Sequence, residues 1–175
     1  RDLLESAGLH NFIVLAPGGG ESWGRDAHFK RWPVASFAEL LSRLQSETTL
    51  DGAVFLGSAH EKNLGEELVS KTRLKCLNLA GQISITIAAA ILERAQLFVG
   101  NDGGLVLMAQ AFRVPTIGLY GPIYPKNYGP YPVTPRALAV YKEDLSCRPC
   151  YKAFRYEAAC PHRDCLQKLG VDEVM

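Results

Sequence analysis

Short uninterrupted apolar runs alternate along this chain with segments of helical period, and this alternation limits the fold more than any other feature. Phe12-Ile13-Val14-Leu15-Ala16 is one such run, closed by Pro17-Gly18-Gly19-Gly20. A run so short and so apolar suits a strand buried on both faces. The next segment changes period. Ser36 offers a helix N-cap with Glu39 in the capping-box position, and Phe37, Leu40, Leu41 and Leu44 recur at helical spacing, which predicts a helix over about 36–46. Strands are then expected at 53–57, 75–79, 97–99 and 115–120, with helices at 61–70, from the Ser84 cap to about Arg94, and at 105–112. Strand-helix-strand units repeated in this way predict an α/β fold, a parallel sheet with helices on both faces and right-handed crossovers. No internal sequence repeat is found.

The remainder is less regular. Residues 120–135 are rich in proline, glycine and tyrosine and read as a long structured loop, residues 136–141 as a last strand, and 144–170 as a cysteine-containing irregular segment that wraps the domain. With 175 residues, 47% of them hydrophobic, residues 1–175 are expected to form a single domain. The chain starts on Arg1 and stops where 170–173 look like the start of another helix, so it reads as a piece of a longer protein. Nineteen basic residues against eighteen acidic ones leave a net charge of +1, which disfavours a nucleic-acid partner or an anionic membrane surface. The longest apolar run, 83–92, is too short to cross a bilayer and no signal-peptide pattern is present, so a soluble domain is expected.

Ligands of open parallel sheets sit beyond the carboxyl ends of the strands, and three junctions of that kind stand out. At 17–33, glycines including Gly18 and Gly19 permit close backbone approach to an anion, and Arg25, Lys30 and Arg31 follow as cations. The segment lacks the third glycine of a dinucleotide fingerprint and the Lys-Ser/Thr of a P-loop, so both motifs are rejected; a plain glycine turn with solvated charges is the alternative. At 57–61, Glu61 would either favour a helix dipole or accept hydrogen bonds from sugar hydroxyls. At 101–104, Asp102 would cap the following helix, and Gly103 and Gly104 would leave amides open to an anion.

In their order, the stretches PGGGES, FKRWPVASFAELLSRL, FLGSAHEK and LAGQISITIAAAILERAQLFVGNDGGLVLMAQAFRVPTIGLYGP resemble glycosyltransferase family 9, the bacterial heptosyltransferases of lipopolysaccharide inner-core synthesis and their relatives. The resemblance covers nearly the whole chain and matches the C-terminal half of that family. It implies a Rossmann-like donor-binding domain, one half of a GT-B fold, with an N-terminal acceptor domain missing. It also implies an ADP-activated sugar as donor, a lipopolysaccharide core sugar as acceptor, inversion without a metal, and a cytoplasmic place at or near the inner face of the bacterial inner membrane. By the same resemblance Lys30 and Asp102 would be the catalytic pair. Lys30 would bind the diphosphate, Glu61 the ribose hydroxyls, Ile83 the base and Asp102 the transferred sugar, while Gly103 and Gly104 cradle the diphosphate. The general base is expected on the missing domain, so this chain alone should not turn over.

The chain also departs from the family pattern. Gly103 stands where Ser or Thr is usual, Leu107 where His is usual, and Ile123-Tyr124 where Thr-Asp commonly follows Gly-Pro. A different donor, replacement of the lost contacts by backbone amides and Arg25, or loss of activity in a non-catalytic nucleotide-binding relative are the readings open. Cys147, Cys150, Cys160 and Cys165, with His162 among them, supply enough ligands for a structural zinc; reduced thiols packed under the tail, or disulfides, are the alternatives. Cys76, alone in an apolar strand, reads as a core thiol. Tyr120, Tyr124, Tyr128 and Tyr131 would stack on sugar rings or pack the proline-rich arm onto the sheet.

Overall fold

A computed structural model describes residues 3–131, 134–152, 155–156 and 160–175. Its centre is a six-stranded sheet in the order β3-β2-β1-β4-β5-β6, every neighbouring pair parallel. The strands are β1 (Phe12–Ala16), β2 (Gly52–Phe55), β3 (Cys76–Asn78), β4 (Leu97–Asn101), β5 (Thr116–Leu119) and β6 (Ala137–Val140). The order reverses direction at β1, which pairs with β2 on one side and β4 on the other. Two loops therefore diverge there, and a crevice opens beyond the carboxyl ends of the strands.

The apolar runs are continuous because both faces of the sheet are covered. Along β1, Ile13 and Leu15 face one core, shared with Phe37, Leu40 and Leu41 of α2 (Val34–Glu47) and Leu68 of α3 (Lys62–Lys71). Phe12, Val14 and Ala16 face the other, which holds Leu4 of α1 (Leu3–Ser6), Ile91 and Leu92 of α4 (Ile85–Glu93), and Val106 and Ala109 of α5 (Gly104–Ala111). All five β1 residues are buried. Predicted strand and helix order is met throughout the sheet, with helices on both of its faces.

The boundaries differ in instructive places. Ser36 does not cap α2. Pro33 ends an extended approach and the helix begins at Val34, so Ser36 sits one turn in and its amide bonds the Pro33 carbonyl. The helix expected over 61–70 starts as a 3-10 turn, Ala59–Glu61, before α3 takes over. Ser84 does cap α4, its hydroxyl accepting from the Ile87 amide. The proline-rich loop contains a single turn, α6 (Pro125–Tyr128).

The tail is more ordered than its composition suggests. It carries the two-stranded ribbon β7 (Tyr151–Lys152) and β8 (Arg155–Tyr156), then α7 (Asp164–Gln167) and a 3-10 turn, Val171–Glu173, where a new helix was expected. Cys165, Leu166, Leu169, Val171 and Val174 enter the α2 side of the core, and the Trp32 indole donates to the Leu169 carbonyl at 2.8 Å. Arg148 reaches the carbonyls of Tyr120, Gly121, Ile123 and Lys142, pinning the start of the tail to the loop after β5. Among the described residues no helix is long and apolar enough to cross a membrane.

Candidate functional site: two chambers sharing Gly103

The crevice at the switch point is divided in two. The first chamber, of about 370 Å³, lies between the loops after β1, β2 and β4 and the start of α4; Gly19, Glu61, Ile83, Gly103 and Gly104 line it. The second, of about 280 Å³, contains Lys30 and Asp102, and Gly103 borders both. Predicted base, ribose and phosphate residues thus meet in one place although they span eighty-odd positions of sequence.

Glu61 is 4% exposed, yet no cation touches it in the described structure. Its carboxylate accepts the Gly20 amide at 2.8 Å on Oε1 and the Ser58 amide at 2.8 Å on Oε2. Backbone donors aimed at a carboxylate compensate buried charge without another ion. The arrangement requires glycine at 18, since a Cβ there would lie 1.9 Å from Glu61 Oε1. Gly19, at φ +83°, turns the chain back over Asn101 and Asp102.

Asp102 is compensated differently. Lys30 Nζ lies 2.6 Å from Asp102 Oδ2, with side-chain exposures of only 5% and 11%. Burial pushes the Asp102 carboxyl above its ordinary value, and the Lys30 ammonium holds it partly back. Asp102 does not cap α5: the helix begins at Gly104, its cap position is Gly103, and the carboxylate turns to Lys30 instead. Lys30 closes a 3-10 turn, Gly24–Lys30, whose continuation is fixed by the Trp32 amide donating to Asn101 Oδ1 at 2.9 Å. Asn101 Nδ2 in turn donates to the Pro17 carbonyl at 2.6 Å, and Arg31 Nε to Gly18 at 3.1 Å. One buried amide side chain therefore ties the lysine loop, the glycine loop and β4 together.

Several functional contacts have little signature in the sequence. For Asn101 the one signal is a polar amide closing an apolar strand. Trp23 and Tyr151 meet in a stacked pair, ring centroids 4.7 Å apart, and both border the second chamber. Lys30 Nζ sits 5.4 Å from the Trp23 ring centroid. Conversely, Arg25 is exposed on the 3-10 turn and lines neither chamber. Of the four loop tyrosines only Tyr128 borders the second chamber. Tyr120 is fully buried, Tyr124 lies beside Arg148 and Tyr141, and Tyr131 is exposed with its hydroxyl on the Lys126 carbonyl.

The zinc expectation does not fit the cysteines. None of them is in a disulfide, and among the described residues no three His, Cys, Asp or Glu side chains gather as a metal-holding group. Cys150 donates its thiol to the Cys147 carbonyl, Cys160 Sγ accepts the Arg163 amide, and Cys147 is exposed. Burial raises the Cys165 thiol to about 11, with the Arg148 guanidinium holding it partly back. Cys76 behaves as the predicted core thiol, packed against the α2-side cluster and raised by burial to about 11.

Residues 7–159 match Glycosyltransferase family 9 (heptosyltransferase). The chain is 35% identical over 100 residues to lipopolysaccharide heptosyltransferase 2 of Salmonella typhimurium, a match covering 55% of the chain and 28% of that protein. It is 25% identical over 167 residues to lipooligosaccharide heptosyltransferase 2 of Campylobacter jejuni, covering 93% of the chain and 49% of that protein. The structure of E. coli ADP-heptose lps heptosyltransferase II superposes with a TM-score of 0.64 at 28% identity, over 78% of this chain and 40% of that one. E. coli heptosyltransferase WaaC with ADP shares the fold, with a TM-score of 0.68 at 22% identity over 95% of this chain and 42% of that one. The chain thus spans half or less of the length of these relatives. The family match spans residues 7–159 and the fold agrees with the solved structures, so the chain belongs to glycosyltransferase family 9.

Proposed function

We propose that this chain is the nucleotide-sugar-binding domain of an inverting heptosyltransferase, taking heptose from ADP-heptose for transfer to a lipopolysaccharide core sugar. One observation carries the reading. A chamber of nucleoside size, bearing Glu61 and Ile83, shares Gly103 with a second chamber whose charged groups are Lys30 and Asp102. Pockets for small ligands commonly measure roughly 300–1,000 Å³. In this reading Ile83 packs against the base, Glu61 takes the ribose hydroxyls, and the diphosphate crosses at Gly103 and Gly104. Lys30 then offsets negative charge growing on the leaving diphosphate, an interaction strongest where water is excluded. Asp102 orients the sugar and keeps Lys30 in place until the phosphates arrive.

No cofactor enters this chemistry. In this reading an N-terminal domain outside this chain binds the acceptor and supplies the base that deprotonates it, so the 175 residues alone would bind donor without turnover. The proposed setting is the cytoplasm, at the inner face of the bacterial inner membrane. Gly103 and Leu107, in place of the usual hydroxyl and imidazole, favour a second reading, a nucleotide-binding relative that has lost transfer.

Calorimetric titration with ADP, UDP, GDP and NAD tests the proposal. Selective ADP binding, weakened by Lys30→Ala, is the expected result. Selectivity for UDP or GDP would move the donor. Absence of binding to all four, by protein shown to be folded, would sink the reading.

A further inference from the structure

The turn that carries Lys30 is held from outside. It runs Gly24–Lys30, with Trp23 at its head and Lys30 as its last residue. Seven residues is long for a 3-10 run, whose bonds are poorly aligned, so the turn needs support beyond its own backbone. That support comes from the tail. Tyr151 of β7 stacks on Trp23, centroids 4.7 Å apart and planes 22° apart. Tyr156 of β8 stacks on Phe29 at 4.6 Å and lies 5.3 Å from Trp23. Further on, the Arg163 guanidinium donates to the His28 carbonyl at 3.1 Å.

At the other end of the turn, Lys30 Nζ has two partners of different kinds. Asp102 Oδ2 takes it at 2.6 Å, and the Trp23 ring presents its face 5.4 Å away. An ammonium carries three donors on a flexible stem, so a phosphate oxygen can be served while the other two contacts persist. With the side chain only 5% exposed, water offers little to an ammonium drawn off Asp102. The negative face of the indole remains to receive it, and such contacts strengthen as water is excluded.

Building on the donor reading above, we propose that Trp23 is a positioning residue for Lys30, steadying the ammonium as it meets the diphosphate, and that the tail ribbon braces the ring through Tyr151 and Tyr156. The tail is then part of the donor site, although Tyr156 lines neither chamber.

The test compares adenosine with ADP by calorimetry on the 175-residue chain and on Trp23→Leu, Trp23→Phe and Tyr156→Leu. Trp23 belongs to neither core cluster, so leucine there leaves the core intact, and adenosine affinity with the thermal midpoint checks the fold of each variant. The ratio of the two affinities isolates what the diphosphate adds. Trp23→Leu should cut that ratio about fivefold, the order expected of a partly desolvated contact between a cation and a ring. Trp23→Phe, which keeps a ring face, should restore most of it. Tyr156→Leu should lower the ratio in the same direction by less, with adenosine unaffected. A ratio untouched by Trp23→Leu overturns the proposal and leaves the donor reading standing, as does an equal loss in Trp23→Leu and Trp23→Phe. A ratio untouched by Tyr156→Leu overturns the brace. If the parent chain binds ADP no better than adenosine, or not at all, the donor reading itself falls and takes the proposal with it.

Discussion

Each chamber of the cleft buries one carboxylate, and the two are neutralised by opposite means. Glu61 is met by the amides of Gly20 and Ser58, donors set by the path of the backbone at the ends of two strands. Asp102 is met by the ammonium of Lys30, at the tip of a flexible four-carbon stem. The first device is finished as soon as the sheet and its loops are folded, so the Glu61 end of the cleft is preorganised. The second can change partners. On the donor reading proposed above, the Lys30 ammonium would lean from Asp102 toward a diphosphate with no movement of the backbone.

Breaking the ion pair should produce the largest effect. Lys30→Ala leaves Asp102 buried without a counter-charge, and loss of one partner of a buried pair costs roughly 3–5 kcal/mol. Urea denaturation checks the stability, and calorimetry should show ADP affinity falling with it. The double variant Lys30→Met/Asp102→Leu should recover most of that stability while remaining unable to bind donor, which separates structural from functional need.

The preorganised end is attacked through Gly18→Ala. The new methyl would occupy the space of Glu61 Oε1, forcing the carboxylate off its amides at a cost of roughly 1–3 kcal/mol. Nucleotide affinity should fall while the Lys30–Asp102 pair survives; unchanged affinity would mean that Glu61 does not hold the nucleotide.

Arg148→Lys replaces a planar fork serving four carbonyls with a point charge. A loss of roughly 1.5–3 kcal/mol is expected, with ADP binding unaffected because the first chamber lies elsewhere. If ADP affinity drops as well, the two chambers are coupled through the tail.

The pH response is subtler. Asp102 has a raised carboxyl in the folded chain, so its contribution to stability is complete below the ordinary carboxylate value and is lost as pH rises through the raised one. Donor binding runs the other way, since protonating Asp102 on acidification dissolves the pair that positions Lys30. Asp102→Asn should flatten both slopes in the acid range. The smallest effect belongs to the exposed helix pair Lys62–Glu66, where Lys62→Ala should change stability by less than about 0.5 kcal/mol.

How much of this was legible in sequence depends on the range of the cause. β1, β4 and α4 could be read because their signals are local: an apolar run, a periodic face, a Ser cap at 84. Lys30, Glu61, Ile83 and Asp102 stand out because parallel-sheet logic gathers strand ends and because they match a family pattern, and the structure brings them to one crevice. Asp102 was nonetheless given the wrong partner. Capping is a local rule, and a lysine seventy-two positions away outcompeted it. Trp23, Tyr151 and Arg148 escaped for the same reason, since their roles are defined by contacts across more than a hundred residues or by carbonyls that carry no sequence signature. The order in 160–175 rests likewise on distant side chains, with the Trp32 indole holding Leu169.

The two tryptophans are also separate optical reporters. Trp32 is 1% exposed, packed edge-on against Phe37 and hydrogen-bonded through its indole, so its emission should stay blue and constant until the domain unfolds. Trp23 lies on the wall of the second chamber, beside the Lys30 ammonium and against Tyr151. A charged ligand entering there changes the field on that ring alone. Occupancy and unfolding can therefore be followed in one unlabelled sample, the first as a change in intensity and the second as a shift in wavelength.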